Sequence, residues 1–193
     1  VKQVVAGVLI FLALLGGLYY LDNNIIKNIT MEEENNVPLE ELMVNQLKER
    51  QKDQQEIGIR RGNIAANFSL KNLAGQEENL TDYRGKKVVL NFWSTDCPAC
   101  VEEMPALNDF YLEYKDQEIV VLGVNLGESS KVVADFMEKN NYQFPILLDE
   151  KVAVGFSYGI IFTPTTFFIN EDGVIVDLHI GALTLEDLHN RYQ

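Results

Sequence analysis

Cysteine is almost missing from this chain: 193 residues contain two. Two cysteines exclude a disulfide-stapled framework, which needs several bridges, but they allow one local, reversible pair. Histidine is as scarce, and His179 and His189 lie far along the chain from Cys97 and Cys100. No spacing among these four matches a zinc site, so no metal or other cofactor is expected, and both histidines are read as core or surface residues. Basic residues are outnumbered, 16 Lys and Arg against 29 Asp and Glu, for a net charge of -13. That balance excludes a phosphate-binding surface built from clustered Lys and Arg, so no nucleic acid is expected as a partner.

Charge is absent altogether from Val4 to Leu21. As a helix rising 1.5 Å per residue, such a run spans roughly 27 Å, close to the ~30 Å hydrocarbon core of a bilayer. Tyr19 and Tyr20 suit the membrane interface. A cleaved signal peptide is the rival reading. The run is long for one, and Leu-Tyr-Tyr-Leu-Asp follows Gly17 where a small-x-small cleavage site would lie. Residues 1–21 are therefore expected to be a transmembrane anchor, with the lipid bilayer as a partner. Lys2 precedes the span and Lys27 follows it, so basic residues do not orient it. Asp22 to Val37 is polar. Pro38 then opens a pattern with Leu39, Leu42, Met43 and Leu47 at helical spacing. Residues 22–61 are read as a linker and helical stalk, since a dimerising coil needs three or more heptads.

The pattern of a folded domain occupies residues 62–193. Residues 66–70 and 78–80 flank Ala74-Gly75, a hairpin signal. Strands are expected over 87–93, 119–126, 144–148, 165–169 and 174–180, the last two joined by a turn at Asn170-Glu171-Asp172-Gly173. Helices are expected over 98–114, with a kink at Pro105, over 129–140 with Ser129 as cap, over 152–158 and over 184–192. Strands alternating with helices, then a hairpin and a last helix, describe an α/β sandwich with a mixed central sheet.

The chemistry concentrates at Trp93-Ser94-Thr95-Asp96-Cys97-Pro98-Ala99-Cys100. An apolar strand runs into Cys-x-x-Cys and a helix follows, the layout of a thioredoxin-like redox site. A sulfur at a helix start meets free N–H groups and the positive end of the dipole, which favour the thiolate. The thiolate attacks disulfides, so Cys97 is the expected nucleophile and Cys100, one turn on, the resolving thiol. Glu103 shares a helix face with Cys100. Turned inward, it is a carboxyl of raised pKa able to exchange protons with a cysteine; turned outward, it is an ordinary surface glutamate. Pro164, before the strand 165–169, is a candidate cis-proline, although trans is the default for the residue alone.

These residues resemble the TlpA/ResA group of membrane-anchored thiol-disulfide oxidoreductases, thioredoxin-like proteins related to the AhpC/TSA peroxiredoxins. The group's pattern is matched by Phe92-Trp93, Cys97-Pro98-Ala99-Cys100, Glu103, Pro105 and Leu107, and again by Pro164-Thr165-Thr166-Phe167. The resemblance runs from about Asn63 to the C-terminus. It implies a thioredoxin-like fold preceded by an N-terminal β-hairpin and a transmembrane helix. It also implies that Pro164 is cis and faces the cysteines, and that Glu103 sets their proton affinity. Trp93, Thr163 and Pro164 are then substrate-binding residues. It further implies a domain outside the cytoplasmic membrane that reduces disulfides of envelope proteins. Apocytochrome c during cytochrome c maturation is one such client, and a membrane protein supplies the electrons.

Two positions depart from the pattern. Asp96, beside the nucleophile, either raises the Cys97 pKa or caps the helix and points away. Phe162 either lines a substrate groove or packs in the core. Two other functions compete. A thiol peroxidase is disfavoured because its Pro-x-x-x-(Thr/Ser)-x-x-Cys template has Leu90 where proline belongs. A tethered binding module with an inert disulfide would keep its activity without Cys97.

Overall fold

The computed structural model describes Pro38, residues 40–46 and residues 56–192. The expected span at Val4–Leu21 lies outside the described residues, and among those described no helix is long and apolar enough to cross a membrane. Residues 40–46 are helical, and the Pro38 carbonyl accepts from the Glu41 and Leu42 N–H groups at 2.9 and 3.1 Å. Met43 and Val44 in this helix are exposed. The second compact unit begins at Gln55.

In that unit, two short strands, β1 (Ile57–Gly58) and β2 (Ile64–Ala65), pair with each other in parallel. A hairpin follows, β3 (Ser69–Asn72) and β4 (Glu77–Asn79). The turn holds because Asn72 Oδ1 accepts from the Ala74 and Gln76 N–H groups and Gly75 takes a φ of 79°, which glycine adopts without a Cβ clash. A 3-10 turn at Leu80–Tyr83 leads to β5 (Lys87–Trp93). Then come α1 (Pro98–Tyr114), β6 (Ile119–Leu126), α2 (Ser130–Asn140), β7 (Ile146–Asp149), α3 (Ala153–Ser157), β8 (Thr165–Ile169), β9 (Ile175–Ile180) and α4 (Leu185–Tyr192).

Seven strands form one sheet in the order β4-β3-β7-β6-β5-β8-β9. The inner pairs β5–β6 and β6–β7 are parallel, and the β3–β7, β5–β8 and β8–β9 pairs are antiparallel. This is the mixed sheet expected from the sequence, and β5 lies near its middle. Both faces of β5 are covered, which is why its apolar run does not alternate with polar residues. Val89 and Trp93 face Met104, Leu107 and Phe110 of α1. Val88, Leu90 and Phe92 face the opposite layer, which contains Tyr158 and Leu80. Each such aliphatic or aromatic side chain removed from water contributes roughly 1.5–3 kcal/mol. The Tyr158 ring contacts those of Phe68, Phe92 and Phe167, and its hydroxyl donates to the Ala66 carbonyl.

Pro105 lies inside α1 on its exposed side and does not interrupt the helix. Ser129 occupies the N-cap position of α2, but its hydroxyl makes no capping bond; that part of the expectation is corrected. The α2 C-terminus is closed instead by Asn141 in the left-handed region, at a φ of 55°.

Candidate redox site

The C-terminal end of β5 delivers the loop Ser94–Asp96, and α1 starts immediately after it. Cys97 is the N-cap residue, with extended dihedrals (φ -91°, ψ 108°) that end the strand-like path. Pro98 follows in the first turn, where its missing N–H leaves no bond unmade. The Cys100 N–H donates to Cys97 Sγ at 3.2 Å. The sulfur thus takes the place that a serine or aspartate oxygen usually holds at a helix start. No acidic residue lies in the first turn, where the helix dipole acts on the sulfur. Cys97 and Cys100 form a disulfide with their Cα atoms 5.2 Å apart. Cys97 is half-buried and Cys100 fully buried, an asymmetry that matches an attacking and a resolving thiol.

The Thr163-Pro164 peptide bond is cis. The Thr163 carbonyl oxygen lies 3.4 Å from Cys97 Sγ although 66 positions separate the two residues. The Pro164 carbonyl accepts from the Gly181 N–H at 2.8 Å. The structure thus brings Thr163 and Pro164 to the cysteine pair, as the family pattern implied.

Glu103 points inward and is 1% exposed. Its Oε1 accepts from Asn91 Nδ2 at 2.8 Å, and its Oε2 accepts from the Leu183 N–H at 2.9 Å. Burial pushes its carboxyl up to about 7, against the two hydrogen bonds, which favour the charged form. A carboxyl that gains and loses its proton near neutrality, one helical turn below Cys100, is suited to proton exchange with the resolving thiol. The surface-glutamate alternative is thereby excluded, while Glu102 is exposed.

Two groups that hold Glu103 were not read from the sequence. Asn91 is fully buried and also donates to Thr166 Oγ1 at 2.9 Å. Its signal was available, since it is the one polar residue in the run Val88–Trp93. Leu183 contributes a backbone N–H, for which no side-chain signal exists.

Other expectations change. Trp93, expected to bind substrate, is fully buried against Phe136 and Gly123. It floors the site from within the core and presents no surface to a substrate. Asp96 is not the helix cap, because Cys97 is; its Oδ1 accepts from the Ser94 hydroxyl. Phe162 is 65% exposed, so it is not a core residue. His189 Nε2 lies 2.9 Å from Glu113 Oε2, and His179 Nδ1 lies 3.3 Å from Arg191.

Comparison with known proteins agrees with this geometry. The family model described as the AhpC/TSA family matches residues 61–178. The chain is 40% identical over 139 residues to the thioredoxin-like protein YneN of Bacillus subtilis, covering 70% of this chain and 81% of that protein. It is 42% identical over 127 residues to the thiol-disulfide oxidoreductase ResA of Geobacillus thermodenitrificans, covering 66% and 73%. Among solved structures, StoA from Bacillus subtilis superimposes with a TM-score of 0.59 at 34% identity, over 66% of this chain and 97% of that one. The pneumococcal exposed lipoprotein thioredoxin Etrx1 does so with a TM-score of 0.57 at 30% identity, over 65% and 97%.

Proposed function

The chain belongs to the AhpC/TSA family and is a thioredoxin-like thiol-disulfide oxidoreductase; from that premise we propose that it reduces protein disulfides outside the cytoplasmic membrane, to which residues 1–21 anchor it. Residues 22–54 then serve as linker and stalk, and the compact unit from Gln55 onward, which includes β1, carries the chemistry. The observation that supports this reading most is the half-buried Cys97 sulfur at the start of α1, beside the Thr163 carbonyl, with Glu103 buried below it.

The Cys97 thiolate attacks one sulfur of a client disulfide. A mixed disulfide forms, and the client's other sulfur leaves as a thiolate. Cys100, giving its proton to Glu103, then attacks Cys97 Sγ. The Cys97–Cys100 disulfide forms and the second client thiolate leaves, so two electrons pass to the client. A client strand lying beside Thr163 brings its disulfide to Cys97. The pair is afterwards re-reduced by a membrane electron-donor protein. The clients are disulfide-containing envelope proteins. The heme-attachment cysteines of apocytochrome c are the favoured case, because that client is what the resemblance to the TlpA/ResA group implies.

The test is the reduction potential of the Cys97–Cys100 pair, measured with the rate at which the reduced chain opens the disulfide of a peptide carrying Cys-x-x-Cys-His. A potential near that of thioredoxin, roughly -270 mV, with fast peptide reduction that Cys97→Ala abolishes, is expected. A strongly oxidising potential, about -120 mV, overturns the reductase direction. Rapid turnover of hydrogen peroxide would favour the peroxidase reading instead.

A further inference from the structure

Thr95 lies two residues before Cys97, on the loop between β5 and α1. Its backbone N–H donates to Glu128 Oε2 at 2.8 Å, and its hydroxyl donates to Glu128 Oε1. The Asn125 side-chain amide, fully buried near the end of β6, donates to Glu128 Oε2 at 2.6 Å. Gly127, at a φ of 78°, turns the chain back after β6, and its N–H bonds the Asp149 carbonyl at 3.0 Å. Glu128 is thereby carried to the loop from a rigid strand end. The three donors are all neutral. A half-buried carboxylate held by neutral donors orients its partners strongly, because bonds to a charged acceptor are about twice as strong as neutral ones.

We propose that Glu128 is a positioning residue for Cys97, clamping the 94–96 loop to the end of β6 so that the sulfur keeps its place once the disulfide opens. The proposal rests on Cys97 being the attacking sulfur. In the oxidised protein the bond to Cys100 ties Cys97 into α1. After reduction that tie is gone, and the loop becomes the restraint on the N-terminal side. The loop's own bonds are weak anchors. The Cys97 N–H reaches the Ser94 carbonyl only at 3.5 Å, and the Ser94–Asp96 bond joins two loop residues without tying them to the sheet. The two bonds from Thr95 to Glu128 tie the loop to the segment that follows β6, which the Asn125 bond joins to the strand itself. They act on the geometry of Cys97, not on its protons: without them the sulfur samples positions away from the α1 N-terminus and the Thr163 carbonyl, and fewer encounters are productive.

The test is the second-order rate constant for oxidation of the reduced full chain by oxidised glutathione, which yields the Cys97–Cys100 disulfide and two glutathione thiols. Glu128→Ala is expected to lower it about tenfold and Thr95→Val roughly threefold, with the double variant no slower than Glu128→Ala alone. Glu128→Gln is expected to recover the rate to within about threefold of wild type. Its amide oxygen, in the place of Oε2, still accepts from the Thr95 N–H and the Asn125 amide, and its Nε2, in the place of Oε1, donates to the Thr95 hydroxyl oxygen. A Glu128→Gln variant as slow as Glu128→Ala, or additive losses in the double variant, would overturn the clamp. If Glu128→Ala does not fold, Thr95→Val against Glu128→Gln decides: equal rates in wild type and both variants overturn it. A wild-type chain that fails to exchange, with Cys97→Ala no different, would overturn the parent reading and this one together, whereas an active wild type with unaffected variants overturns only the clamp.

Discussion

Asn91 donates its side-chain amide to Glu103 Oε1 at 2.8 Å, and neither residue meets solvent. The same nitrogen reaches Thr166 Oγ1 at 2.9 Å, so one amide ties the centre of β5 to both α1 and β8. This bond favours the carboxylate form of Glu103, while burial favours the neutral acid by a larger margin. Burial thus sets the acid–base behaviour of the site, and a residue that does no chemistry itself moderates it.

Asn91→Leu removes one of the two bonds that oppose the burial effect. The Glu103 carboxyl should then move further upward from about 7. Its side-chain carboxyl signal, followed by NMR through a pH titration of wild type and variant, checks this. A midpoint that stays put or falls would show that Asn91 does not stabilise the charged form.

Glu103 also makes stability depend on pH. Its carboxyl titrates at about 7 in the folded chain against 4.5 for an ordinary glutamate, so between those values the native state holds a proton the unfolded state has lost. The stabilisation is fully present below the unfolded value and is lost as pH rises through the folded one, on the order of 3 kcal/mol in all. Glu103→Gln should flatten this part of the profile. Urea unfolding of both chains at pH 5 and pH 8 measures it, and an equal change with pH in the two would refute the assignment.

Gly123 packs its Cα against the floor of the site. A Cβ there would lie 2.7 Å from Ile146 Cδ1, 3.0 Å from Phe144 Cε2 and 3.1 Å from Trp93 Nε1. Gly123→Ala should destabilise the chain by about 1–3 kcal/mol, the usual cost of overfilling a packed core. Thermal unfolding is the measurement, and an unchanged midpoint would mean the layer relaxes freely.

Ile161 and Phe162 are 83% and 65% exposed, immediately before the Thr163 carbonyl that lies beside Cys97. A large apolar side chain in that place is suited to a client segment and contributes little to the core. Phe162→Ser should therefore change stability by no more than about 0.5 kcal/mol. It should also slow reduction of a protein disulfide severalfold while leaving reduction of a small aromatic disulfide near the wild-type rate. Equal slowing of both substrates would place Phe162 in the chemistry rather than in client binding.

How much of this was legible beforehand depends on the range over which each feature is determined. The strand into Cys97, the helix from Pro98 and the Ala74-Gly75 and Asn170–Gly173 turns each follow from residues a few positions apart. For these, local preferences and the periodicity of burial suffice. Cys97 as its own helix cap is also a local outcome, because Pro98 starts the helix and the strand ends just before it. Trp93 was misplaced because an aromatic residue beside a redox motif reads the same whether it faces outward or inward. The β5–β6 register, which sets Trp93 opposite Asn125 near Gly123, turned it in.

The rest required tertiary structure, for one physical reason: hydrogen bonds between residues distant in sequence depend on strand register and loop closure, neither of which leaves a mark on the residues themselves. Pairing of β5 with β8 sets Asn91 opposite Thr166. The turn after β9 brings the Leu183 N–H to Glu103 across 80 positions, and Gly127 swings Glu128 onto Thr95 across 33. The sequence by itself determined that a cysteine pair stands at the start of a helix. Only the fold decided that the carboxyl beneath it is buried, that the Thr163 carbonyl faces the sulfur, and that a second carboxylate holds the loop carrying that sulfur.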